Sequence, residues 1–175
     1  MRRCVLAFCV IIGTVAGAAA GQAGAFGSSP SLPDVPGATD QAVTPENIDS
    51  TICVSGYARS VRPPYSFTGP IKRQLMRSRH PGERYSGYEL DHLIPLSLGG
   101  APADPRNLWL EPWTGPMNAG DKDALEFVLW RLVCQHEVPL RMAQRAIAGN
   151  WVEAYRRYAT PQNLSRFHFN HSGGD

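Results

Sequence analysis

The chain has 175 residues, with Lys and Arg totalling 17 and Asp and Glu totalling 15. Arg2 and Arg3 stand in a leader without acids, and the remainder holds 15 basic and 15 acidic residues, a balance that excludes an all-over polyanion binder. Beyond the leader and a polar linker, the length suits one domain with one core, and no internal repeat is visible.

Residues 1–20 open with Arg2 and Arg3, continue through an apolar run of about a dozen residues and end in Ala18-Ala-Ala20, as a cleavable secretory signal does. The run is short for a membrane span, which needs about 20 residues. Bulky Phe8 before Cys9 argues against a lipoprotein signal. The expectation is export to the periplasm or medium, with no stable membrane insertion after cleavage. Residues 21–50 are rich in Gly, Ser, Pro and Ala and read as a flexible linker. The domain is expected over 51–160, and 161–175 as a disordered tail that contains a His168-x-x-His171 pair.

Within the domain, Thr51–Gly56 is a short strand candidate, and Arg62-Pro-Pro-Tyr65 opposes helix. Thr68 is placed to cap a helix from about Gly69 to Ser78, with Pro70 in its first turn. Arg59, Arg62, Lys72, Arg73, Arg77, Arg79 and Arg84 face a single acid, Glu83, in the same stretch. This is either a phosphate-facing surface or a solvated helix face. Tyr88–Leu98 is strand-like up to Pro95, Gly99-Gly100 turns the chain, and Asn107–Glu111 is the second strand. Ala124, Leu125, Val128, Leu129, Leu132 and Val133 recur at helical spacing within Ala119–Gln135. Pro139 opens a helix that ends at Gly149-Asn150, and Trp151–Tyr158 forms another. Trp109, Trp113, Trp130 and Trp151 read as core or rim residues rather than base-stacking platforms.

Beyond the leader two cysteines remain, Cys53 and Cys134, 81 positions apart. An exported chain with an even count invites a disulfide; the alternative is a pair of buried thiols. Closing a loop of that length is worth roughly 4–5 kcal/mol by chain-entropy reasoning. No Cys-x-x-Cys cage for structural zinc is present.

The densest chemistry lies in Tyr88-Glu-Leu-Asp-His-Leu-Ile-Pro-Leu-Ser-Leu-Gly-Gly100, followed by Asn107-Leu-Trp-Leu110 and Asn118-Ala-Gly-Asp-Lys122. An acid beside a histidine at a strand end, with further oxygen donors, suits metal-assisted phosphodiester hydrolysis. In order and spacing, the tract from Tyr88 to about Glu126 resembles the HNH (ββα-metal) endonuclease family. That resemblance implies an α+β fold with a ββα-metal core and flanking helices; the disulfide expected from the two cysteines would serve as staple where many relatives carry a structural zinc site. It implies His92 as general base, Asp91 as first metal ligand and Asn107 as the residue that orients the intervening loop. Asn118 would supply the second ligand, with Asp121 and Glu89 as alternatives, because many relatives carry a histidine on the first helical turn where this chain has Gly120, Asp121 and Lys122. Lys122 and Arg84 would contact substrate. The implied cofactor is one divalent ion, Mg²⁺ first, with Mn²⁺ or Zn²⁺ as alternatives, and the implied partner is nucleic acid, DNA before RNA. Two rivals stand beside this reading: an exported nucleic-acid-binding module that has lost catalysis, and a periplasmic metallo-hydrolase of small phosphoesters.

Overall fold

A computed structural model describes residues 32–170; residues 1–31, which hold the expected leader and the first part of the expected linker, and residues 171–175, His171 among them, lie outside the described residues. The fold is α+β. Among the described residues, five α-helices, α1 (Tyr57–Val61), α2 (Tyr65–Arg79), α3 (Ala119–Cys134), α4 (Leu140–Tyr158) and α5 (Pro161–Arg166), accompany one two-stranded sheet, against which α2 packs. The strands β1 (Tyr88–His92) and β2 (Leu108–Pro112) run antiparallel, with Glu89 opposite Glu111, Asp91 opposite Trp109 and His92 opposite Leu108. Among the described residues no helix is long and apolar enough to cross a membrane.

The core lies between α3 and α4. Leu125, Val128, Leu129, Leu132 and Val133 of α3 meet Ala143, Ile147, Trp151 and Ala154 of α4, joined by Leu93, Ile94 and Leu98 from the connection between the strands. Helix α3 starts sharply because Asn118 and Asp121 form a capping box: Asn118 Oδ1 accepts from the Gly120 N–H at 2.9 Å, and Asp121 Oδ2 accepts from the Asn118 N–H at 3.0 Å. Helix α4 is two helical pieces met at Asn150, whose φ of −162° and ψ of 95° break the spiral, at the boundary that Gly149-Asn150 predicts.

Several local expectations are corrected. Thr51–Gly56 forms consecutive turns, not a strand, because Ile52 is drawn into the core and no extended neighbour offers it a ladder. Helix α2 begins at Tyr65, directly after Pro64, so Thr68 lies inside it and Pro70 interrupts its interior hydrogen bonding. The extended Pro63-Pro64 pair acts as the stop, and the helix uses the first position after it. The described part of the linker is packed rather than free: Val43 and Ile48 are buried, and Thr39 bridges to Gly100. At the other end Phe167 is buried, and Phe169 stacks on Phe127 with ring centroids 5.4 Å apart.

Cys53 and Cys134 are disulfide-bonded, tying the turns before α1 to the last residue of α3. Reduction is expected to cost about 2–5 kcal/mol and to lower Tm by on the order of 10 °C. Scanning calorimetry with and without reductant checks this, and an unchanged Tm would count against the bond as a stabilising element.

Candidate functional site

The connection between β1 and β2 is built around one side chain. Asn107 is fully buried, and its Oδ1 accepts from the Ile94 N–H at 2.9 Å while its Nδ2 donates to the Ile94 carbonyl at 2.9 Å and to the Ala101 carbonyl at 3.2 Å. The amide therefore mimics a strand neighbour across the neck of the loop. Gly99 and Gly100 are required there. Gly99 has φ 70°, and a Cβ on Gly100 would sit 1.8 Å from the Ile94 carbonyl oxygen. Gln144 of α4 closes the far side by donating to the Leu98 carbonyl at 2.8 Å.

This latched loop fixes His92. The ring is buried, and its Nε2 lies 2.9 Å from the Pro102 carbonyl oxygen. A carbonyl can only accept, so Nε2 carries the proton, and in the neutral ring Nδ1 is left with its lone pair. Burial pushes the imidazole below its ordinary value, outweighing the Pro102 carbonyl and Asp91, which favour the charged form. The neutral, base-competent form is thereby favoured.

Asp91, one residue earlier, belongs to a different network. Lys122, 0% exposed, reaches from the first turns of α3 to Asp91 Oδ2 at 2.5 Å and to the His92 carbonyl at 3.1 Å, and also pairs with Glu126 one turn on. Glu89 and Glu111 face each other across the sheet on the Asp91 side. Glu111 is 1% exposed, and its Oε1 has no hydrogen-bond partner. Burial pushes Asp91 up, but the Lys122 ammonium more than offsets this and holds the carboxyl below the usual range. Glu89 is pushed up to about 7 by burial and then by Asp91 and Asp123, and Glu126 to about 8 by burial against the pull of Lys122. Burial also raises Glu111 well above its ordinary value, and Lys122 only partly opposes it. Lys122 itself is raised because Asp91, Glu126 and Glu111 outweigh its loss of water.

The sequence-predicted residues thus fall into three groups. His92 and Asp91 are adjacent on β1, with Glu89 on the Asp91 side. Asn107 is the latch. Asn118 and Asp121 are engaged in capping α3, Asn118 Nδ2 also donating to the Gly115 carbonyl at 3.0 Å. Lys122, expected to reach phosphate, is instead enclosed among carboxylates. Arg84 is exposed, and with Arg59, Arg62, Arg73 and Arg77 it makes no ion pair within the described residues. Trp113, read as core or rim, is 47% exposed where the chain leaves β2.

Glu111 and Glu126 were not legible as site residues one at a time. The signal was collective: Lys122 stands three positions before Leu125 on the apolar stripe, with Glu126 at i+4 and acids at alternate strand positions.

As a cation site the cluster has suitable chemistry. Four carboxylates against one ammonium form an oxygen-only, electron-rich set, and Glu111 Oε1 is an orphan. It is not a closed cage, for among the described residues no three of His, Cys, Asp and Glu converge on one point. A Mg²⁺ held by one or two carboxylates, completing its shell with water and phosphate oxygens, needs no such cage. Asp91, with Glu89 beside it, is the donor pair this arrangement offers.

Comparison with family models, curated proteins and solved structures returns no match to this chain.

Two substitutions test the construction. Asn107→Ala leaves the buried Ile94 N–H and carbonyl without partners and is expected to destabilise by about 2–4 kcal/mol, measured by urea unfolding. Lys122→Met strands buried carboxylates and is expected to cost about 3–5 kcal/mol, much of it recovered in the Lys122→Met/Glu126→Gln double variant. Equal stability of the two Lys122 variants would show that Lys122 and Glu126 are not energetically coupled.

Proposed function

We propose that this chain is an exported, metal-dependent endonuclease of the HNH type that hydrolyses phosphodiester bonds in DNA, and in RNA as a second substrate, with little sequence specificity. The observation that carries the reading is His92: a buried imidazole whose Nε2 is committed to the Pro102 carbonyl and whose Nδ1 is left as a base, one residue from an ionised Asp91. The succession of β1, latched loop, β2 and α3 is also the order that the ββα-metal resemblance expects.

In this mechanism His92 Nδ1 takes the proton from an attacking water, and the Pro102 carbonyl steadies the imidazolium that results. Asn107 keeps the loop, and with it the Pro102 acceptor, in place. Asp91, kept ionised by Lys122, and Glu89 would hold the divalent ion. When bound, that ion supplies charge stabilisation to the scissile phosphate and the departing oxygen. Exposed arginines along α1 and α2 draw in the polyanion.

One observation favours the rival, non-catalytic reading: Lys122 already neutralises Asp91, and Asn118, the expected second ligand, is engaged in capping α3. Plasmid cleavage with Mg²⁺ or Mn²⁺, with and without chelator, separates the two. His92→Ala is expected to lose about 10²–10⁴-fold in rate with metal affinity retained, whereas Asp91→Ala loses both by calorimetry. Cleavage by His92→Ala at the parent rate would remove the base assignment, and binding without cleavage by the parent chain would favour the binding module.

A further inference from the structure

The exposed surface of α1, α2 and the turn leading into β1 combines unpaired cations with open aromatic rings. Tyr65 is 69% exposed at the start of α2. Its ring lies over Gly69, where a Cβ would come within 2.9 Å of Cζ, so the glycine is what lets the ring lie along the helix. The Tyr85 side chain neighbours that of Tyr65, and burial followed by this neighbour raises the Tyr85 hydroxyl above its ordinary value. Tyr85 is 39% exposed, and the Lys72 ammonium lies 4.1 Å from its ring centroid, while the same ammonium donates to the Tyr88 carbonyl. Two residues after Tyr85, Gly87 accepts a hydrogen bond from the backbone N–H of exposed Trp113.

The cations here are available. Arg62 and Arg73 make no ion pair within the described residues, and the sole acid between Arg59 and Arg84, Glu83, is already bound by His80 and Tyr88. The surface also leads to the site described above. The positive charge of Arg62 is near enough to His92 to disfavour its charged form, and that of Lys72 near enough to Glu89 to favour its ionised form.

Arginines alone would serve any polyanion. Exposed aromatic rings add a requirement, because a base can stack on them only when it is free of its own duplex. We infer that Tyr65, Tyr85 and Trp113, flanked by Arg62, Lys72 and Arg73, form a platform for single-stranded nucleic acid, on which unpaired bases stack while the arginines and the lysine hold phosphates. This rests on the nucleic-acid reading above and narrows its substrate to strands presented unpaired, whether free single strands or loops and ends of a duplex.

The test measures binding without turnover. Fluorescence anisotropy of the full chain in chelator compares a labelled twelve-nucleotide oligothymidylate with a twelve-base-pair duplex. The single strand is expected to bind roughly tenfold more tightly. Tyr65→Ala and Tyr85→Ala should each weaken it by roughly tenfold, in line with the loss of one stacked base. Tyr65→Phe and Tyr85→Phe should bind as the parent does, since they keep the ring and lose only the hydroxyl. Arg73→Ala should flatten the salt dependence by about 0.7 in the log–log slope.

Duplex binding equal to or tighter than single-strand binding would overturn the platform, as would unchanged affinity in both alanine variants or loss of affinity in the phenylalanine variants. Displacement by polyglutamate at matched charge, as effective as by oligothymidylate, would mean a plain anion surface, such as one for an acidic protein, and would also overturn it. Failure of the nuclease reading has a different signature: the oligothymidylate binds as described, yet no strand is cut when metal is restored.

Discussion

A single buried ammonium governs how this molecule is assembled. Two strands of five residues each do not make a sheet that stands by itself. Here Lys122 reaches out of α3 to the Asp91 carboxylate and to the main chain of His92, so the sheet and the core helix are held in one register. A lysine placed so deep is tolerated only because carboxylates surround it, and those carboxylates are tolerated so close together only because of the lysine. The surplus of acids is accommodated by raising the affinity of three glutamates for protons, while Asp91 keeps its charge.

On the neighbouring residue the logic is reversed. His92 is held by neutral groups: a backbone carbonyl, an amide latch at the start of the neighbouring strand, and a pair of glycines that let the chain pass close to itself. One residue step along β1 thus separates an ionised group in a charged cluster from a neutral ring in a hydrogen-bonded loop. General acid–base chemistry calls for such unlike neighbours, since a water-activating imidazole is of use only beside something that stabilises negative charge elsewhere.

Much of this was legible in the sequence where one residue type has one physical use. Gly99-Gly100 turns the chain, the apolar spacing from Ala124 to Val133 marks the helix, and two cysteines allow a single pairing. The loop-orienting role of Asn107 came only through the family resemblance; taken alone, the residue reads as an ordinary turn asparagine. What was not legible depended on packing between distant segments. Lys122 and Glu126 look like an ordinary exposed helix pair until β1 and β2 arrive with three more acids. Thr51–Gly56 has strand-forming residues, yet burial of Ile52 in a turn wins because no neighbouring strand is within reach. Pro70 suggested a first turn, but the double proline ahead of Tyr65 is the stronger boundary, and the helix accepts a missing hydrogen bond to begin there.

The disulfide has a topological meaning apart from stability. Every residue of the latch, the ammonium cluster and the arginine-rich surface lies between Cys53 and Cys134 in sequence. The exposed bend after β2, where Trp113 and Gly115 project toward solvent, is the kind of segment proteases open first. A cut there would divide the chain between β2 and α3 without releasing either half, because the bridge still joins them and the core between α3, the loop and α4 is untouched. Where a protease reaches this bend, one covalent bond thus turns a lethal break into a nick.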